Sequence, residues 1–237
     1  MTAVRKISIS KSQVRERSKE LRIASTKNAS LVENRHQQIV DGACKVFFEK
    51  GFHPTTTRDI AKACGMSMGQ LYHYIRSKDD VLYLIHKHMH NVWHDYLGRS
   101  RLEQIDDPVQ KFKEALRQIL QFQTENKKLI QFVYSESKYL GKKHFKVVLE
   151  MDYQNVIGFW RNLLEDVTKE KSVKGDLDIL ASLVAFFLVF QPLRGWTLRD
   201  KPTEKVLGSL EDFVLRGLGV NSGAGEIKDR LSGAGKY

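Results

Sequence analysis

The chain has 237 residues, 41% of them hydrophobic, which supplies a buried core and excludes a globally disordered polymer. Its 39 basic against 28 acidic residues give a net charge of +11, which favours a polyanionic partner such as nucleic acid or an anionic membrane surface. The only cysteines, Cys44 and Cys64, read as reduced, buried, small apolar residues and exclude a disulfide-built scaffold.

Residues 1–32 carry eight lysines and arginines and two glutamates, so this stretch holds +6 of the +11 charge. Residues 14–24 have a thin apolar stripe and the makings of a nascent helix. The stretch reads either as a solvated leader or as a basic arm lying along DNA phosphates, which would add affinity without sequence preference. No apolar segment of the secretory kind appears in residues 1–30. From Glu33 to Lys50, Ile39, Ala43, Val46 and Phe47 recur at helical spacing, and Gly51 closes that helix. His53 and Pro54 then carry the chain over to the next element.

The stretch from Thr55 to Lys78 is dense in helix signals. Thr56 with Asp59, Ser67 with Gln70, and Ser77 with Asp80 each have the spacing of a reciprocal capping box. Gly65 sits where a helix end favours glycine. Two short helices joined by a tight glycine turn form a helix-turn-helix, whose second helix enters a DNA major groove. Residues 65–69 also spell G-x-S-x-G, the string of a hydrolase nucleophile elbow. That elbow needs a strand before its serine, and here a helix precedes it.

The same run carries a family resemblance. Residues 39–52 (IVDGACKVFFEKGF), 55–61 (TTTRDIA), 64–75 (CGMSMGQLYHYI) and 77–82 (SKDDVL) together resemble the N-terminal domain of the TetR family of bacterial transcription regulators. The resemblance implies that residues 67–75 form the reading helix. It further implies that Thr56, Tyr72, His73 and Lys78 hold phosphates. Helix N-termini at Thr57 and Met68, with Ser67 and Gly69 beside the latter, add backbone N–H groups. Met68, Gln70 and Arg58 would face base edges, Gln70 suiting adenine. Two positions depart from the family pattern: Ile75 stands where Phe is usual, and Met68 where Lys or a small residue is common. Met68 donates no charged hydrogen bond to guanine.

The helix opening at Ser77 has an inner stripe of Val81, Ile85, Met89, Val92 and Tyr96. His86, His90 and His94 follow at zinc-compatible spacing. Without a carboxylate or cysteine at matched spacing they read as the polar flank of that stripe, and no metal or other cofactor is expected. Beyond it, helices are expected from Pro108 to Thr124, from Asn126 to Leu140, and as one long helix from Lys142 to about Glu170. Two more are expected, from Asp176 to Leu193 and from Thr203 to Gly217. The residues 219–237 carry five glycines and read as a flexible tail. The longest apolar run, residues 179–190, is too short to span a bilayer, so a soluble cytoplasmic protein without membrane partners is expected.

The expected fold is all-α: a basic extension (1–32), a three-helix helix-turn-helix domain (33–93, motif 56–75), a helical ligand-binding and dimerisation domain (94–219) and a tail (220–237). The helix over 176–193 is apolar all round and calls for cover on more than one side, which a homodimer interface through 176–216 would supply. Candidate pocket residues are Phe132, Tyr139, Tyr153, Trp160, Phe187, Arg194 and Trp196. Arg161 and Arg194 read as cations at buried helix ends. The string LRGWTLR (193–199) is similar to family members that sense acyl-CoA esters. The function expected is a homodimeric repressor, not an enzyme, released from a palindromic double-stranded DNA operator by a hydrophobic small-molecule effector. The alternatives are a ligand-independent nucleoid-type DNA-binding protein and, on the string at 65–69, a hydrolase.

Overall fold

The computed structural model describes residues 29–170 and 173–220. The basic stretch before residue 29, with the nascent helix at 14–24, and the tail beyond 220 lie outside the described residues. Every regular element among those described is helical.

The first helix, α1, runs Ala29–Lys50 and ends at Gly51, whose φ of +83° is a conformation glycine adopts without penalty. Two short helices follow, α2 (Thr57–Ala63) and α3 (Met68–Tyr74), and then the long α4 (Lys78–Arg99). A 3-10 turn at Leu102–Gln104 leads to α5 (Pro108–Glu125), capped by Asp107 with proline at its first position as the sequence signals. Next come α6 (Lys127–Glu136), a 3-10 turn (Ser137–Tyr139) and α7 (Lys142–Asp152). A π turn (Tyr153–Ile157) joins α7 to α8 (Gly158–Glu170). The single long helix expected over 142–170 therefore carries a one-turn bulge. The chain continues through α9 (Leu177–Leu188), the short α10 (Phe190–Arg194), a 3-10 turn (Gly195–Leu198) and α11 (Thr203–Gly217). The expected helix over 176–193 breaks at Val189, and the two pieces meet at 45°. Pro192 explains the break, because it has no N–H for the carbonyl of Leu188 and its ring crowds that carbonyl.

Contacts group the chain into two units. One holds the described residues up to His88 together with Glu136–Val148; the other holds Met89–Ser135 and the described residues from Leu149 on. In the first unit Ile39, Ala43, Ile60, Leu71, Ile75, Val81, Leu82 and Ile85 are fully buried. Helix α1 meets the end of α2 closely at Gly42, where a Cβ would stand 2.5 Å from Cys64 Sγ and 2.9 Å from Cys64 N. In the second unit α5 and α8 bury Phe112, Leu116, Ile119, Phe122, Trp160 and Leu164, with Ala181, Val184 and Leu188 of α9 against them. Among the described residues no single helix is long and apolar enough to cross a membrane.

Candidate nucleic-acid interface

Each of the two short helices is too short to hold itself in water, so its ends must be satisfied locally. At α2, Asp59 N donates to Thr56 Oγ1 at 3.1 Å while Thr56 N donates to Asp59 Oδ2 at 2.9 Å. Lys50 Nζ reaches Asp59 Oδ1 at 3.0 Å. The bonds from Thr56, and then Lys50, hold the Asp59 carboxyl well below the usual carboxylate range. At α3, Gln70 N donates to Ser67 Oγ at 3.2 Å and Ser67 N donates to Gln70 Oε1 at 2.8 Å. Between the helices Gly65 adopts φ +64°, and Gln38 Nε2 of α1 donates to Cys64 O at 2.6 Å. The serine of the G-x-S-x-G string is therefore a helix cap preceded by a helix, and the strand-turn-helix frame of a hydrolase elbow is missing from it.

One side of this pair is buried through Ile60, Ala61 and Leu71. The other side exposes Thr56, Arg58, Ser67, Gly69, Gln70, Tyr72 and His73, with Thr57 and Met68 half-buried. The hydroxyls of Thr57 and Tyr72 lie 3.2 Å apart, so the first turn of α2 and the body of α3 present them side by side. A Cβ added at Gly69 would meet nothing nearer than Ser67 Oγ at 4.0 Å, so internal packing does not require glycine there.

Lys78, the remaining sequence candidate, is turned inward. Its Nζ donates to the carbonyls of Phe52 (2.7 Å), His53 (3.1 Å) and Thr55 (3.0 Å) and lies 4.4 Å over the Phe52 ring. All three ammonium hydrogens have carbonyl partners, and desolvation lowers the pKa of Lys78. The lysine thus ties the start of α4 to the loop before α2.

The 136–148 segment belongs to the same unit, which the sequence does not signal. Tyr139 stacks on Phe52 with ring centres 5.6 Å apart and meets His53 edge-on at 4.1 Å. His144 Nδ1 lies 2.5 Å from Asp79 Oδ2, its Nε2 lies 3.5 Å from Asp80 Oδ1, and its ring stacks on Tyr83 at 4.7 Å. Gly141 N donates to Asp79 at 2.7 Å and Arg76 N to Asp80 at 2.7 Å. Asp79, Asp80 and His144 bring ligand-type atoms within 4.8 Å of one another. Each imidazole nitrogen faces its own carboxylate, however, and backbone N–H groups take up both acids, so the set is held by its own hydrogen bonds. The zinc spacing on α4 is likewise absorbed: His90 is buried, with its pKa pulled down to about 4 by burial and by His94, and His94 Nε2 sits 3.3 Å from Asn155 Oδ1. Burial pushes the thiols of Cys44 and Cys64 up to about 12 and about 11, which suits inert cysteines.

The seven sequence candidates for a pocket have different surroundings. Tyr139 packs in the first unit as described. Trp160 is fully buried between Phe112 and Phe159, Phe132 is buried, and Phe187 packs on Phe213 at 5.0 Å. Tyr153 and Trp196 are exposed, and Arg194 lies 5.3 Å over the Trp196 ring. Arg161 is also exposed and pairs with Asp178 at 3.0 Å. A cleft of about 700 Å³ opens in the second unit beside Tyr96, Arg99, Arg101, Ile105, Glu114 and Gln118. Of these only Tyr96 stands out in the sequence, as part of a core stripe; the cleft arises where the end of α4 and the 3-10 turn meet α5, a long-range juxtaposition that periodicity does not reveal.

Comparison with known proteins agrees with this geometry. Residues 39–83 match the family model described as bacterial regulatory proteins, tetR family. The HTH-type transcriptional regulator HbdR of Aromatoleum sp. (strain CIB) is 35% identical over 86 residues, 36% of this chain and 37% of HbdR. A solved tetR-family regulatory protein from Rhodococcus RHA1 superposes with a TM-score of 0.64 at 17% identity, over 84% of this chain and all of that one. The transcriptional regulator FadR from Bacillus subtilis, solved with stearoyl-CoA, gives a TM-score of 0.63 at 17% identity, over 76% of this chain and 98% of FadR. The match to the tetR family of bacterial regulatory proteins covers residues 39–83, the stretch that holds the helix-turn-helix of α2 and α3, and the solved structures share the all-helical fold around it.

Proposed function

We propose that this regulator acts as a homodimeric repressor that leaves a palindromic operator when a hydrophobic small molecule binds its second unit. The observation that carries the DNA half is the exposed, twice-capped pair α2–α3, with the Thr57 and Tyr72 hydroxyls side by side and Gln70 on the outer face of α3. Thr57, Tyr72 and His73 supply hydrogen-bond donors for phosphates, Thr56 can join them only by releasing Asp59, to which its hydroxyl donates at 2.7 Å, and Gly69 lets the backbone of α3 approach the groove wall. Arg58, Met68 and Gln70 face base edges. Because the Gln70 Oε1 is held by Ser67 N, its Nε2 is the group left to donate to a base acceptor, unless the cap opens for a bidentate contact with adenine. Lys78 braces the head rather than the phosphates.

The dimer is supported by apolar exposure on α9 and α11. Ile179 is 62% exposed, Phe186 63% and Phe213 58%, an apolar surface that a second copy would cover. For the effector, the binding of stearoyl-CoA by the similar Bacillus subtilis FadR makes acyl-CoA esters the first compounds to try. Selection of bound duplexes from a random pool by the full-length protein tests the reading. A twofold-symmetric motif, released by the effector, is the expected outcome; binding without any sequence motif would instead favour a nucleoid-type role.

A further inference from the structure

The cleft beside Arg99 has three features that ordinary packing does not explain. Its rim carries two guanidinium groups, Arg99 and Arg101, and among the described residues neither is paired with a carboxylate. The Arg99 Nε donates only to the Asp95 carbonyl, at 3.2 Å. The one acid in the lining, Glu114, accepts from Gln118 Nε2 at 2.8 Å, so two arginines against one glutamate leave the lining at net +1. An open cleft with unpaired arginines favours a planar anion such as a carboxylate or phosphate.

Tyr96, one of two apolar residues in the lining, connects the cleft to a buried aromatic core. The Tyr96 hydroxyl is fixed on the Gln118 carbonyl at 2.9 Å, and its ring meets Phe122 at 5.0 Å. From Phe122 the ring contacts continue to Trp93 at 5.5 Å, then Phe159 at 5.8 Å, then Trp160 at 5.0 Å. Within this aromatic core the indole N–H groups of Trp93 and Trp160 and the Oε1 of Gln123 are buried without a hydrogen-bond partner among the described residues. Such orphaned groups are rare in finished cores and commonly mark a place where a polar atom from elsewhere is received.

We propose that the cleft is the effector site, and that the effector is an anionic amphiphile. Its headgroup lies on Arg99 and Arg101, and its apolar chain runs past Tyr96 and Ile105 into the Phe122–Trp93–Phe159 rings. An acceptor oxygen near the headgroup end of that chain gives a buried indole donor its missing partner. The volume of about 700 Å³ accommodates a molecule of drug or lipid size. Insertion along Trp93 and Tyr96 parts the second half of α4 from α5, so the ligand acts on the same helix that begins at the head. This inference rests on the reading of the protein as an effector-responsive regulator.

The test is a fluorescence titration of the full-length protein carrying Trp196→Phe, which removes the exposed indole and leaves Trp93 and Trp160 as reporters. The probes are dodecanoate, dodecyl phosphate and uncharged 1-dodecanol, each below its aggregation limit. The expected result is a saturable emission change with dodecanoate or dodecyl phosphate, whichever headgroup the arginines prefer, and binding about tenfold weaker for dodecanol, the loss of a charge-assisted contact. The double substitution Arg99→Ala and Arg101→Ala, on the exposed rim, should weaken the anionic probe by about tenfold and leave dodecanol unaffected. No saturable change with either anion, or identical binding by the double variant, overturns the proposal. The titration contains no DNA. A protein that binds the anion but selects no duplex motif keeps the site and loses the regulatory reading, whereas a motif-selecting protein that ignores all three probes keeps that reading and loses the site.

Discussion

In the head, two helices of seven residues hold their register through reciprocal bonds at Thr56–Asp59 and Ser67–Gln70, and Lys78 pins the loop before them to three carbonyls. In the second unit, order comes from apolar volume: Phe112, Leu116, Phe122 and Trp160 are fully buried, and two indole donors there go unpaired among the described residues. The contrast fits the work proposed for each region. A surface that meets DNA cannot bury its outer face, so its geometry is fixed by short-range polar bonds. On the proposed reading, the second unit leaves polar groups unsatisfied because an effector would complete them.

The contrast can be broken by substitution, and the largest effect is expected in the second unit. Phe112→Ala should cost about 4 kcal/mol, since a fully buried ring leaves a cavity that rigid helices fill poorly. Urea unfolding followed by circular dichroism measures this; a loss below about 1 kcal/mol would mean that the core there is loose. In the head, Gly42→Ala should cost about 2–3 kcal/mol by pushing α1 off the end of α2, read by the same unfolding experiment. A neutral Gly42→Ala would deny the close approach.

Acidification comes next. The folded-state pKa of His90 is lowered to about 4, so between pH 6.5 and about 4 the unfolded chain binds a proton that the folded chain refuses. Stability from this group is therefore fully present above 6.5 and falls as the pH drops through that window. At pH 5.5 the loss relative to pH 7.5 should be about 1.4 kcal/mol, and His90→Gln should remove that part of the pH dependence. Equal slopes for parent and variant would contradict the burial of His90. Ser67→Ala is the smallest change, about 1 kcal/mol, because it removes one cap and no core volume.

The sequence is legible where chemistry is local. The capping pairs, Gly65 and the periodicity of α1 and α5 all read directly, because each signal spans a few residues. Lys78 reads as a phosphate contact because its three carbonyl partners stand 23 to 26 residues away, out of reach of any local pattern. Tyr139 reads as a pocket aromatic, yet it packs on Phe52 and His53, a contact no periodicity encodes. The helix over 176–193 reads as continuous because its apolar run hides the effect of Pro192. The cleft stays hidden for a similar reason: its arginines lie at the end of α4 and just before a 3-10 turn whose packing against α5 only the folded chain reveals.

The most direct test of the central claim, that α3 reads DNA sequence, is an anisotropy titration of parent and Gln70→Ala protein on the selected duplex and on a scrambled one. Loss of the Ser67–Gln70 cap affects both duplexes alike, so the difference between them isolates base reading. The account predicts that Gln70→Ala weakens binding to the selected duplex by about 1–3 kcal/mol more than to the scrambled one. An equal loss on both duplexes would contradict it and reduce Gln70 to a helix cap.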